Sequence, residues 1–165
     1  MKHYCLVSIA VLLAMTTARV PAAEKQMRLT PAEIGALPAA GNGAGTSGVA
    51  TLRTVVLAGN PSAPGLYAIE IAIPPHTIIR THRHRDDRVA TVVSGVWYLG
   101  YGNARAANAI KELPAGSFYT EPADVAHFAS TRELPAVVHI SGYGPSDTVY
   151  VDVTDDPARR EHRGD

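Results

Sequence analysis

After residue 49 the chain never runs far without a turn, and this rhythm limits its fold more than any other feature. Runs rich in β-branched and aromatic residues occupy 52–57, 66–73, 76–84, 89–99, 110–113, 117–121, 125–130, 137–141 and 148–153. Turn formers stand between them: Asn60-Pro61-Ser62, Pro74-Pro75, the stretch 100–103, Pro114-Ala115-Gly116, Pro122-Ala123-Asp124 and Gly142-Tyr143-Gly144-Pro145. In one run Tyr67, Ile69, Ile71 and Ile73 alternate with Ala68, Glu70 and Ala72, the period of a strand with one buried face. No helical period intervenes. Such a succession folds as an all-β sandwich or barrel.

With 165 residues, 46% hydrophobic and 18% charged, the chain suits one domain with a sizeable core. Its 15 basic and 15 acidic residues cancel, which leaves no overall charge to attract nucleic acid or an anionic membrane surface. Beyond the N-terminus no apolar stretch approaches the roughly twenty residues of a membrane span.

Residues 1–23 read as a secretory signal peptide. Lys2 and His3 form a cationic start, 4–15 is an apolar core, and Val20-Pro21-Ala22 fits the small-x-small cleavage rule. A buried N-terminal helix is the competing reading, but the run lacks a polar face. The expectation is therefore a periplasmic or secreted protein. Cleavage removes Lys2, Arg19 and no acid, leaving 13 basic against 15 acidic residues, a net charge of −2. It also removes Cys5, the only cysteine. A mature chain without thiols needs no disulfide, and any metal site in it must use nitrogen and oxygen ligands.

Thr30-Pro31-Ala32-Glu33 is a helix start, with Thr as cap, Pro at the first position and Glu three residues on. Gly35 and Pro38 keep the helix short. The stretch 39–48, with glycines at 41, 43, 45 and 48, reads as a flexible linker too poor in apolar residues to pack. Residues 24–48 are thus expected to be an arm and Gly-rich linker lying across the outside of the domain. The β domain is placed at 49–157 and a charged tail at 158–165, with fraying from 155 and a solvated His162.

Chemistry concentrates in His82-Arg83-His84. Residues two apart on a strand point the same way, so His82 and His84 can present two imidazoles to one point. His127, from a later strand, can complete a facial set. Imidazole accepts zinc, copper, iron, nickel and manganese to different degrees, so the trio argues for one divalent metal ion without naming it.

The segment 74–95 followed by 114–127 resembles the two signature segments of the cupins. His82, His84, Gly95, Pro114, Gly116, Pro122 and His127 match that pattern in order and spacing. The frame is also similar to small secreted single-domain cupins at 59–65, 93–98, 116–119 and 155–157, so the likeness covers nearly everything after residue 50. It implies a double-sheet jelly-roll barrel with a short N-terminal arm. It also implies metal binding by His82, His84 and His127, small-molecule ligands, and a possible homodimer. It says little about activity, because one fold hosts many reactions. Three histidines at this spacing outweigh the bland reading of ordinary strand residues.

Two positions depart from the pattern. His76 stands where the signature has Gly and is read as a turn residue rather than a ligand, since histidine tolerates unusual turn backbone. Arg88 occupies the slot of the usual glutamate ligand, and a guanidinium cannot coordinate a metal. Three readings stay open. In the first, Glu121 supplies the carboxylate while Arg88 pairs with it or anchors an anionic substrate; in the second, three histidines hold the metal alone, with an Arg88–Glu121 salt bridge at the pocket edge; in the third, Asp87 swings in, one residue out of phase. Arg88 and Glu121 are the candidate catalytic residues.

Of the remaining polar residues, His139 can point into the pocket or outward, and is read as a group supporting the ligands rather than as a ligand. Arg83, Arg85 and Asp86 are expected in solvent. Trp97, Tyr98, Tyr101, Phe118 and Tyr119 read as sheet packing, with one or two lining an apolar pocket. No Gly-x-Ser-x-Gly nucleophile or phosphate loop is present. The expected function is a metal-binding secreted cupin, either a small-molecule dioxygenase or a Lewis-acid lyase or isomerase. The alternative is a non-catalytic metal or small-ligand binding or sensor module.

Overall fold

The computed structural model describes residues 26–41, 43–103 and 109–161. The expected signal peptide, Cys5 and His162 lie outside the described residues. The first element is helix α1 (Pro31–Ala36), opened by the expected capping box: Glu33 N–H donates to Thr30 Oγ1, and Thr30 N–H donates to the Glu33 carboxylate. Arg53 ties it to the domain by donating to the carbonyls of Gly35 and Leu37 at 2.9 and 2.7 Å.

Nine strands follow among the described residues: β1 (Arg53–Ala58), β2 (Gly65–Ile73), β3 (Ile78–Arg83), β4 (Arg88–Tyr101), β5 (Ile110–Pro114), β6 (Phe118–Glu121), β7 (His127–Ser130), β8 (Ala136–Gly144) and β9 (Val149–Tyr150). All pairings are antiparallel. The order runs β1-β2-β8-β4-β7-β3-β9, with β5 and β6 also on β4. The two curled sheets share β4 and enclose the core, which is the expected jelly-roll architecture. Tyr67, Ile69, Ile71 and Ile73 all point inward against Val138, Ile140 and Val92. Each such aliphatic side chain contributes about 1.5–3 kcal/mol by leaving water. Among the described residues no helix is long and apolar enough to cross a membrane.

Two irregularities set which residues face inward. In β4 the register against β8 shifts between Val92 and Ser94, a bulge. Arg88, Ala90 and Val92 are buried before it, Trp97 and Leu99 after it, so the inward parity changes from even to odd. Gly95 completes this bend with φ +72°, and a Cβ there would lie 1.8 Å from the Pro135 carbonyl oxygen. In β3 the register against β7 shifts between Ile79 and His82, so both Ile79 and His82 face the interior.

Three expectations about the periphery are corrected. The Gly-rich stretch is packed at its centre: Gly45, Thr46 and Ser47 are buried. Side chains from elsewhere in the domain hold it down by donating to its carbonyls. Thr148 donates to Thr46 O at 2.6 Å, Tyr150 to Ser47 O at 2.5 Å and Arg88 to Gly45 O at 3.0 Å. The last expected strand shrinks to β9, because Asp152 accepts from Thr154 N–H and starts a 3₁₀ turn at Val153–Asp155. The tail is helical rather than frayed at its start: α2 (Pro157–Glu161) follows Asp156, whose carboxylate accepts from Ala158 N–H.

Candidate metal centre

His82 lies directly opposite His127 across the β3–β7 ladder, and His84 follows at the end of β3. All three imidazoles are buried, with ring centroids 4.4 to 5.1 Å apart. Each is aimed by its Nδ1, which sits against a main-chain carbonyl: Arg80 O at 2.6 Å from His82, Asp147 O at 2.5 Å from His84 and Val125 O at 3.2 Å from His127. A carbonyl only accepts, so each Nδ1 carries the proton and each Nε2 keeps its lone pair. One ligand nitrogen from each ring lies within 4.8 Å of the other two.

Burial pushes the His82 pKa down to about 3, helped by neighbouring His127, and that of His84 down to about 2, helped by Arg88. Both rings are therefore neutral at ordinary pH, the form that binds metals. The same residues pass a second check. His127 Nε2 is buried and has no hydrogen-bond partner, as expected of an atom intended for an ion. The donor set of three imidazoles and no thiolate fits a divalent transition metal or zinc.

Arg88 and Glu121 face each other directly across the β4–β6 ladder, and both side chains are buried. Arg88 Nε donates to Glu121 Oε2 at 2.7 Å, and Nη2 donates to the same oxygen and to His84 Nε2, the latter at 2.6 Å. The other carboxylate oxygen, Oε1, is 3.6 Å from His127 Nε2. Burial alone would raise the Glu121 pKa, but Arg88 and the imidazoles outweigh it and hold the carboxyl at about 2. Arg88 is likewise kept charged by Glu121 against its burial. The pair is fully inside the barrel rather than at a pocket edge.

The Asp87 alternative is excluded by geometry: Asp87 is exposed, and its carboxylate accepts from Ala123 N–H at 2.9 Å. His76 takes the turn role expected of it, with φ +57° and an exposed ring. His139 is corrected. It points away from the core between buried Val138 and Ile140, and meets Glu70 at 2.7 Å on the outer face of the sheet. Asp86 is corrected too. It is buried, and accepts from Tyr67 O–H and Ser146 O–H, both at 2.7 Å, whereas Arg83 and Arg85 are exposed as expected. Of the aromatics, Trp97 and Tyr119 line the interior, Tyr98 lies under Arg132, and Tyr101 and Phe118 are exposed.

Beside the histidines lies a cavity of about 30 Å³, walled by Ile71, Ile73, Ile79, Val138 and Ile140 and by His82, Arg88, Trp97, Tyr119, Glu121, His127 and Ser47. A wider cleft of about 460 Å³ lies across 43–48, Ser146–Thr148 and Tyr150. Ser47 touches both spaces and separates them. Sequence reasoning missed Ser47 because its stretch has no apolar residue larger than alanine. The only signal was the run of positive-φ glycines, which permits a tight path over the barrel mouth.

No family model matches the sequence, and no curated protein matches it. Solved structures do share its fold. The polyketide cyclase RemF from Streptomyces resistomycificus aligns with a TM-score of 0.61 at 15% identity, over 84% of this chain and 94% of its own. The DMSP lyase DddQ from Ruegeria pomeroyi gives 0.54 at 16%, over 70% of this chain and 59% of its own. A cupin 2 domain-containing protein from Halorhodospira halophila gives 0.52 at 18%, over 67% and 81%. The chain therefore has the cupin fold.

Proposed function

We propose that this protein binds one divalent metal ion through Nε2 of His82, His84 and His127, with Glu121 Oε1 as a fourth donor, and acts on a small organic molecule there. The observation that carries this reading is the common aim of three buried, neutral imidazoles, each fixed through Nδ1 by a main-chain carbonyl. When bound, the ion supplies a Lewis acid with coordination positions left for substrate. The chain's own residues do the rest. The isoleucines give the cavity an apolar wall, Arg88 neutralises the Glu121 carboxylate, and Ser47 lines the cavity from the buried segment 45–47. Similar folds serve a polyketide cyclase and a DMSP lyase, so the architecture is compatible with lyase, isomerase or dioxygenase chemistry on small molecules.

A second reading, a non-catalytic binding or sensor module, is favoured by one feature: Arg88 occupies the slot of the usual carboxylate ligand and is anchored on three sides. Purified protein loaded with iron, manganese, zinc, nickel or copper, assayed for oxygen uptake and product formation with diketones, phenols and thiols, separates the two. Turnover that disappears in His82→Ala supports the enzyme. Retention of a ligand without turnover under any metal supports the module. Export is part of the proposal, supported by the charge and apolar pattern of 1–23. The mass of the cell-processed chain tests it, with cleavage expected near Ala22.

A further inference from the structure

Among the described residues, four buried side-chain atoms have no hydrogen-bond partner: Ser47 Oγ, Trp97 Nε1, Tyr119 Oη and His127 Nε2. All four residues line the same cavity of about 30 Å³. Folded proteins leave few such groups unsatisfied, so four around one space point to something that belongs in it. The metal reading accounts for His127 Nε2 alone.

The chemistry of the other three defines what they would hold. The Trp97 indole N–H can only donate. The Tyr119 phenol carries an O–H, so it too offers a proton. Ser47 can donate from the segment that covers the mouth. Isoleucine and valine side chains, the Arg88–Glu121 pair, His82 and His127 complete the lining, so an acceptor entering it meets the Arg88 guanidinium and these donors together. The volume admits about two water-sized bodies. That is too small for most organic substrates and suits a compact group.

We propose that this cavity binds a small anion or other hydrogen-bond acceptor of two or three non-hydrogen atoms, held by the Trp97 indole N–H and the Tyr119 hydroxyl beside the three histidines. The inference rests on the metal reading, since the acceptor's other end would face the ion. The β4 bulge is what makes the site: by changing the inward parity it brings Trp97, rather than Tyr98, into the barrel.

The test uses the full chain loaded with cobalt(II), titrated with azide and followed by visible absorption. The expected result is saturable azide binding that weakens at least about fivefold in Trp97→Phe and in Tyr119→Phe, the loss of one hydrogen bond to a charged ligand. Cobalt stoichiometry and the azide-free spectrum should stay unchanged in both variants. Tyr98→Phe, which alters a ring outside the cavity, should bind azide as the unmodified chain does. Equal azide affinity in all forms, or no azide binding by a cobalt-loaded chain, overturns the inference. Failure of the unmodified chain to take up cobalt overturns the metal reading itself, and the inference with it.

Discussion

Arg88 Nη2 donates to His84 Nε2 at 2.6 Å, so a guanidinium holds the lone pair that a metal ion at this site requires. Metal uptake and the Arg88–His84 contact are mutually exclusive at that nitrogen. Arg88 also donates to Glu121 Oε2 and to Gly45 O, so withdrawing it from His84 disturbs the pair across β4–β6 and the covering segment together.

Replacement of Arg88 by methionine separates these roles. The metal-free Arg88→Met protein leaves Glu121 as an uncompensated buried charge and should lose about 3–5 kcal/mol of stability in urea melts. Its metal affinity should rise at least about tenfold, because one charge-assisted competitor is gone. Unchanged affinity by competition with a chelating dye would mean that Arg88 does not compete for the site.

Asp86 supports the centre from behind. It accepts from Tyr67 and from Ser146, and Ser146 precedes the Asp147 carbonyl that fixes the His84 ring. Asp86→Ala should cost about 1–3 kcal/mol by leaving two buried hydroxyls unpaired, and should weaken metal binding about tenfold although it removes no ligand. Calorimetric melts and a metal titration read both effects.

Tyr67 gives this network a pH signature. Burial raises its pKa to about 12. An unfolded tyrosine ionises near pH 10, so between those values the folded chain holds one more proton than the unfolded one. Its contribution is fully present below pH 10 and declines as pH rises through 12, by about 1.4 kcal/mol per pH unit. Urea melts from pH 9 to 11.5 should show this slope, and Tyr67→Phe should lower it by that one-proton share while buried Tyr119 keeps its own.

Gly95→Ala tests the bend in β4. The new Cβ meets the Pro135 carbonyl oxygen at 1.8 Å in a backbone with φ +72°, so the cost should be at least about 2 kcal/mol. A urea midpoint that stays at the unmodified value would show that β4 tolerates a straighter path.

Much of this was legible in the chain because period and turn chemistry are local. Alternation in 66–73 placed the β2 core, the Thr30 box opened α1, and His76 sat in the turn its spacing required. What escaped was set by pairing between distant residues. Asp86 looked solvated because nothing local reveals Tyr67 and Ser146 closing over it. His139 was misplaced because its face depends on the phase of β8. The Arg88–Glu121 contact figured in two of three open readings and could not be chosen, since the β4–β6 register that makes them direct neighbours is not written in either segment alone. The packed 45–47 stretch was missed because Arg88, Thr148 and Tyr150 reach its carbonyls from far along the chain, and an accepting carbonyl leaves no mark in the local residue types.

The central claim is metal binding by three histidines with a carboxylate beside them, and metal content by elemental analysis of the purified chain tests it most directly. The account predicts about one divalent ion per chain, lost in His127→Ala and reduced comparably in Glu121→Ala. Unchanged occupancy in Glu121→Ala alone would leave a three-histidine site and remove the fourth donor. A chain that takes up no divalent ion, or one whose occupancy survives His127→Ala, would contradict the account.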